Sequence, residues 1–297
     1  MTGTSEEPTL AIDIGGTKIA MASVAAGRIR ERRQIATPRT GKGADVVAAI
    51  VREIGSIPSG RLIAVATTGL IREGCLTALN PSTLPIEDRY PLAAAIAQAT
   101  GIAPMVVNDA QAAAWGEYRY GTGRGCRTFA FVTISTGIGA GLVVDGRLLI
   151  GSAGLAGHLG HVVADHRGPL CGCGRRGCLE MLASGTALSR RGSEALRRPV
   201  SAPEIFAEAS VGQADASALL DDAARHVANA VADLAAVCDV DQVALGGGVG
   251  LAAGFIDRVR CAMQGLPATF RRPLSLASGG ADAGLLGVAD LATAEME

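Results

Sequence analysis

With 297 residues the chain has room for one large or two modest domains, and an aromatic share of 3% inside a 48% apolar composition requires a core of Ala, Val, Leu and Ile. Its 27 Lys and Arg against 28 Asp and Glu leave a net charge of −1, so no basic surplus exists to neutralise a nucleic-acid backbone. No apolar run reaches the roughly 20 residues of a membrane span, and the polar residues 1–9 lack the basic start and apolar stretch of a secretory signal.

In chain order, residues 10–14, 19–24 and 28–35 read as three antiparallel strands joined at Gly15-Gly16-Thr17-Lys18 and at Gly27. Asp13 is a carboxylate inside the first apolar strand, so it needs a partner: a metal, a phosphate-bound Mg²⁺, or the backbone of its own glycine turn. Arg28 to Arg33 form a solvated strand face, and Arg190-Arg191 a helix end. Residues 44–54 have helical spacing, 61–66 form a buried strand, 71–79 a hairpin around Gly74 closed by Asn80-Pro81, 92–99 a helix and 104–107 a strand. That strand runs straight into Asn108-Asp109 and a helix over 111–118. The junction exposes both residues at the carboxyl end of a sheet, where α/β proteins bind ligands, and helix capping is the competing explanation.

From Thr128 the opening order returns. Strand 129–134, the glycine turn Ser135-Thr136-Gly137-Ile-Gly-Ala-Gly141, strand 142–144, the hairpin pair Asp145-Gly146 and strand 147–150 repeat residues 10–35. The repeat predicts two related domains facing one cleft, each offering a glycine turn whose N–H groups cradle phosphate. Helices follow over 180–189, 203–209 and 215–237, with His226 a packing or surface residue. Strand 241–245, the run Gly246-Gly247-Gly248-Val-Gly250 and a helix over 255–263 suit the adenosine or α-phosphate of a nucleotide. A strand over 274–277 and a helix over 282–293, closely packed through Ala-Gly-Leu-Leu-Gly, complete the chain.

Between the repeat and those helices lie His158, His161, Cys171, Cys173, Cys178 and Glu180. Three thiols and one imidazole are the donor set of a closed, structural tetrahedral Zn²⁺ site, here Cys171, Cys173, Cys178 and His161, with His166 and His158 as competing histidines. Such a site pins a loop of low apolar content and places the flanking His158 and Glu180 to touch a substrate. The remaining Cys75, Cys126, Cys238 and Cys261 read as buried residues, and free thiols suit a reducing, cytoplasmic compartment.

The motifs Asp13-Ile-Gly-Gly-Thr-Lys18, Asn108-Asp109, Ser135 to Gly141, Gly157-His-Leu-Gly-His161, the cysteine cluster with Glu180, and Gly246-Gly-Gly-Val249 resemble, in this order, the ROK family of sugar kinases and repressors. The resemblance spans residue 10 to about 290. It implies an actin-like, ribonuclease H-like fold of duplicated α/β domains around a central cleft, divided as 1–118 plus about 283–297 and 119–282 with the zinc loop. It implies ATP and Mg²⁺ as co-substrates, structural Zn²⁺ and a homodimer. The expected reaction is phosphoryl transfer to the 6-hydroxyl of a hexose, an amino sugar by the nearest motif match, with glucose or N-acetylglucosamine as alternatives. Carried over, Asp109 is the catalytic base, and Asn108, Glu180 and His161 bind sugar, His161 while also holding zinc. Asp13, Gly15, Gly16, Thr17, Lys18, Thr136 and Gly137 serve the nucleotide phosphates, and Gly247 the nucleotide. One departure stands out: most family kinases carry glutamate where this chain has His158. A repressor would need a helix-turn-helix ahead of the first strand, where nine residues stand here, so an enzyme is expected. A filament-forming actin relative does not account for the Asn-Asp pair or the cysteine loop.

Overall fold

The computed structural model describes residues 7–294, except 56, 58, 59, 81 and 82. Residues 1–6 and Pro81, the expected close of the first hairpin, lie outside the described residues. The chain divides into two compact units, one of Met1–Tyr120, Leu149–Ala156 and Gly279–Glu297, the other of Gly121–Leu148 and Gly157–Ser278. The short stretch Leu149–Ala156, placed by the sequence reading in the second domain, thus groups with the first.

The first unit opens with β1 (Thr9–Ile14), β2 (Lys18–Ala25), β3 (Arg28–Ala36) and α1 (Gly43–Ile54). It continues with β4 (Leu62–Thr67), the hairpin β5 (Leu70–Arg72) and β6 (Cys75–Thr77), α2 (Leu92–Thr100), β7 (Met105–Asn108) and α3 (Asp109–Tyr120). The second unit carries β8 (Phe129–Ile134), β9 (Ile138–Val144), β10 (Arg147–Leu148), α4 (Glu180–Ala183), α5 (Gly185–Leu196), α6 (Ala202–Ser210) and α7 (Ala214–Cys238). Then come β11 (Gln242–Gly246), α8 (Gly247–Gly250), α9 (Phe255–Gln264) and β12 (Leu274–Leu276), and α10 (Ala283–Ala294) returns to the first unit.

The two sheets repeat one topology. Their orders are β3-β2-β1-β4-β7 and β10-β9-β8-β11-β12. In each, the first three strands form an antiparallel meander and the last two pair parallel to the first. The meanders turn tightly: Ala26-Gly27 and Asp145-Gly146 both have positive φ at each residue, the left-handed pair that a two-residue hairpin of this twist requires.

Strand alternation assigns the faces of the first sheet. Leu10, Ile12, Ile14, Met21, Ile63 and Val65 pack with α1 and α2 residues Val46, Ile50, Leu92 and Ile96. The opposite face is small: Ala11, Ala20, Ala22, Ala64 and Ala66 pack with Ala112 of α3 and Leu285, Val288 and Ala289 of α10. Small side chains let α10 lie close to the sheet, and glycines let α10 lie close to α3. A Cβ on Gly287 would collide with the Ala112 carbonyl, and one on Gly116 with that of Ala283. The close packing expected of Ala-Gly-Leu-Leu-Gly is therefore present. Asp13 sits on this small-residue face.

Several local readings are corrected. The helix expected over 180–189 breaks at Ser184, whose backbone is extended and whose Oγ accepts from Ala187 N at 3.1 Å to cap α5. Arg190 and Arg191 then lie inside α5, Arg191 donating to Leu182 O (2.6 Å) and Asp222 Oδ2 (2.5 Å). Of the four cysteines read as buried, Cys75, Cys126 and Cys238 are partly exposed and Cys261 is exposed. His226 is buried within α7, as a packing residue would be. Among the described residues, no helix is long and apolar enough to cross a membrane.

Candidate active site

In the first unit the turn between β1 and β2 is held from one side. Gly15 N donates to Lys18 O (3.0 Å), which closes the turn on itself and leaves that N–H unavailable to Asp13. Thr37 Oγ1 donates to Gly15 O (2.7 Å), Arg39 to Gly16 O (3.0 Å), and Thr37 N to Thr17 O (3.1 Å). In a trans peptide the N–H points opposite to the C=O of the same plane. Fixing the carbonyls of Gly15 and Gly16 therefore aims the N–H groups of Gly16 and Thr17 the other way, as an anion cradle requires. Thr37 and Arg39 were not singled out from sequence, because a side chain bonded to a distant carbonyl leaves no spacing pattern.

Two carboxylates stand at the carboxyl end of this sheet. Asp109 opens α3 directly after β7, two residues earlier than the helix expected there. Its Oδ1 accepts from Ala110 N (2.8 Å). Burial raises its pKa above the usual carboxylate range, against the lowering effect of the backbone N–H groups and Asn108. Asp13, on β1, is raised to about 7, first by burial and then by the Asp109 charge, with Lys18 and Arg32 acting against both. The α10 start lies above it: a Cβ on Gly284 would stand 3.6 Å from Asp13 Oδ2. Arg32 is itself paired with Asp282 at 2.9 Å, a specific role for one arginine of the otherwise solvated β3. Asn108 does cap the helix. Its Oδ1 accepts from Ala110 N (2.9 Å) and Gln111 N (3.2 Å), and its Nδ2 donates to Gly69 O (3.0 Å). Its amide also hydrogen-bonds the Asp109 carboxylate, so Asn108 ties the helix cap to the neighbouring acid.

In the second unit the corresponding turn is closed by Ser135 N donating to Gly137 O (2.9 Å), with Thr136 and Gly137 at its tip. β9 starts at Ile138, four residues earlier than expected, so Gly139 and Gly141 are strand residues. Glu180 is tied to this turn: its Oε2 accepts from Ile138 N at 2.9 Å, and a side chain on Gly137 would collide with that carboxylate. Gly247, with φ +79, lies where a Cβ would come 2.5 Å from Ile134 O. The glycine run forms the single helical turn α8 and does not lead directly into α9, contrary to the simple strand–glycine–helix reading.

The expected metal ligands come together. One donor atom from each of His161, Cys171, Cys173 and Cys178 lies within 4.8 Å of the others. Cys173 Sγ and Cys178 Sγ are 3.7 Å apart, and Cys171 Sγ and His161 Nδ1 3.6 Å apart. A tetrahedron with Zn–S of about 2.3 Å and Zn–N of about 2.0–2.1 Å has edges of about 3.8 Å and 3.6 Å, so these two pairs stand at the spacing the ion requires. Burial and the neighbouring thiols push the Cys178 thiol up to about 12. Neither His166 nor His158 belongs to the set, although the His158 ring lies roughly parallel to that of His161, 6.4 Å away. Arg175 donates to His161 O at 2.9 Å and steadies the loop.

The sequence matches the ROK family over residues 9–295. The chain belongs to the ROK family. Among relatives of this ROK protein, the N-acetylmannosamine kinase of Citrobacter koseri is 45% identical over 287 residues, covering 96% of this chain and 98% of its own. The ROK hexokinase of Thermus thermophilus has a similar structure, with a TM-score of 0.85, 36% identity and coverage of 97% and 99% of the two chains. A ROK glucokinase from Streptomyces griseus, solved with glucose and AMPPNP, gives 0.81, 31%, 96% and 99%. These likenesses and the repeated sheet topology establish the actin-like duplicated α/β fold.

Proposed function

We propose that this ROK protein transfers the γ-phosphoryl group of ATP to the 6-hydroxyl of N-acetylmannosamine, a step of sialic acid catabolism. The near full-length likeness to a kinase named for that sugar supports the substrate. The observation that carries the chemistry is Asp109, a half-buried carboxyl at a strand–helix junction with a raised pKa.

A sugar hydroxyl is a poor nucleophile at neutral pH. Asp109 accepts its proton as the oxygen attacks phosphorus, which contributes roughly 10²–10⁴-fold. The hydroxyl oxygen forms a bond to the γ-phosphorus, the bond to the β–γ bridging oxygen breaks, and ADP leaves. Asn108, whose amide reaches both Gly69 O and the Asp109 carboxylate, binds a sugar hydroxyl beside the base. Glu180 keeps one oxygen on Ile138 N and presents the other to the sugar, so the same side chain registers the sugar against the Thr136–Gly137 tip. His161 uses Nδ1 in the thiol cluster and keeps Nε2 for the substrate. Gly16 and Thr17 N–H groups receive phosphate oxygens, with Gly15 closing their turn, Lys18 adding positive charge and Gly247 serving the nucleotide. Asp13, a buried carboxyl raised to about 7 mainly by burial, fits as the residue that would hold Mg²⁺ through the nucleotide, where the ion would neutralise phosphate charge. Cys171, Cys173, Cys178 and His161 fit a structural Zn²⁺.

Glucose is the second reading, favoured by the glucose-bound Streptomyces relative and opposed by His158. Phosphorus-31 NMR of the product tests the main reading. It predicts one new phosphomonoester signal, split by the two protons on C6, growing in step with the ADP signals. Inorganic phosphate alone, or an ester at another hydroxyl, contradicts it.

A further inference from the structure

Helix α3 carries Asp109 at its first position, and it also carries two polar side chains withdrawn from solvent: Gln111 is 1% exposed and Glu117 is 0%. A buried amide or carboxylate costs stability unless it is hydrogen-bonded, and an apolar side chain of like volume would fill either position without that cost. Both bonds go to backbone. Gln111 Nε2 donates to Ala156 O at 2.9 Å, and Glu117 Oε1 accepts from Gly279 N at 2.6 Å.

The two recipients share a property. The chain passes between the units after Tyr120, Leu148, Ala156 and Ser278. Gln111 therefore grips the last residue before one passage, Glu117 grips the first residue after another, and α3 itself ends at a third. Gly279 leads into the α10 start, where Asp282 pairs with Arg32 and Gly284 faces Asp13. Space at Gly279 is short: a Cβ there would lie 2.9 Å from Ala283 Cβ and 3.1 Å from Glu117 Oε1.

We propose that Glu117 and Gln111 are positioning residues that fix Asp109 in register with the α10 start and with the 149–156 segment. The proposal rests on Asp109 being the base. Glu117 acts through the Gly279 N–H: with that bond made, α3 cannot slide along α10, and the Asp109 carboxyl keeps its place beside Asp13. Misplacement of a reacting group by about 1 Å costs up to roughly 100-fold in rate, so the effect belongs in kcat rather than KM.

The test compares full-length wild type, Glu117→Gln and Glu117→Leu by circular dichroism, hydrogen exchange and kinetics with ATP and N-acetylmannosamine. The amides followed are those of Ala110 and Gln111, which donate to the Asn108 cap. Glu117→Leu is expected to fold, to exchange these amides at least about tenfold faster, and to lose at least about tenfold in kcat with both KM values held within about twofold. Glu117→Gln keeps an oxygen for Gly279 N and is expected within about threefold of wild type on every readout. If Glu117→Leu does not fold, Gly279→Ala carries the test, with the same loss confined to kcat. Wild-type kcat and exchange in the leucine variant, a glutamine variant as impaired as the leucine one, or a loss appearing only in KM overturns the proposal. If wild type phosphorylates no hexose, the functional reading fails instead, and exchange alone decides the positioning role.

Discussion

Asp109 and Asp13 stand at the ends of β7 and β1, with only β4 between those strands, and burial works against both charges. Asp109→Asn keeps the shape and removes the proton acceptor, so kcat is expected to fall roughly 10²–10⁴-fold with sugar KM nearly unchanged. In wild type, kcat/KM should fall as pH drops through a midpoint above the usual carboxylate range, because the raised pKa protonates the base early. Asp13 makes a separate, thermodynamic prediction. Its folded pKa, raised from 3.8 to about 7, means that the folded state holds the proton more tightly than the unfolded chain. Stability is therefore lost as pH rises from about 4 to about 7, with a ceiling of about 4 kcal/mol. Asp13→Asn carries no charge, so without ligands it should melt above wild type at pH 8, and the gain should vanish near pH 4. A gain that stays constant with pH contradicts the shift. Asp13 and the Asn108-Asp109 pair were legible in sequence because a carboxylate in an apolar strand, or at a strand–helix junction, violates the pattern around it. Thr37, Arg39, Gln111 and Glu117 violate nothing locally; their roles exist only once distant backbone arrives beside them.

At the scale of elements, the cysteine loop and the α3–α10 pair carry the clearest consequences. The four residues proposed as metal donors were singled out by residue type and spacing, and the fold brings their donor atoms within 4.8 Å of one another. Cys173→Ser should abolish stoichiometric zinc and raise the sugar KM, since His161 belongs to the cluster and Glu180 follows Cys178 by two residues. Elemental analysis that still finds one zinc per chain in that variant contradicts the ligand set. Between the helices, Gly287→Ala places a methyl group against the Ala112 carbonyl. Overpacking of this kind costs roughly 1–3 kcal/mol, so Tm should fall by several degrees; an unchanged Tm contradicts the close approach. The break at Ser184 did have a local signal, a capping serine followed by Gly185, a poor helix former, which the reading of 180–189 as one helix passed over. The Ser184 bond to Ala187 N, the Gly185 N bond to Ser135 O (2.7 Å) and the Arg191 bond to Leu182 O favour two short helices over one.

For the whole molecule, the duplication was visible as a repeated order of strand and glycine turn. The structure extends it to five-stranded sheets of the same order. What the repeat could not reveal was the return of Leu149–Ala156 to the first unit. That placement depends on Gly154 packing against the Ile71 carbonyl and on the Gln111 bond to Ala156, both long-range contacts. Fold and chemistry class thus follow from local signals, whereas substrate choice among hexoses turns on hydroxyl stereochemistry read by a few side chains. An ATP-consumption assay on wild type and Asp109→Asn, run with N-acetylmannosamine, N-acetylglucosamine, mannose and glucose, tests the central claim most directly. The account predicts the highest kcat/KM on N-acetylmannosamine and loss of that turnover in Asp109→Asn; preference for another hexose, or full turnover without the Asp109 carboxylate, would contradict it.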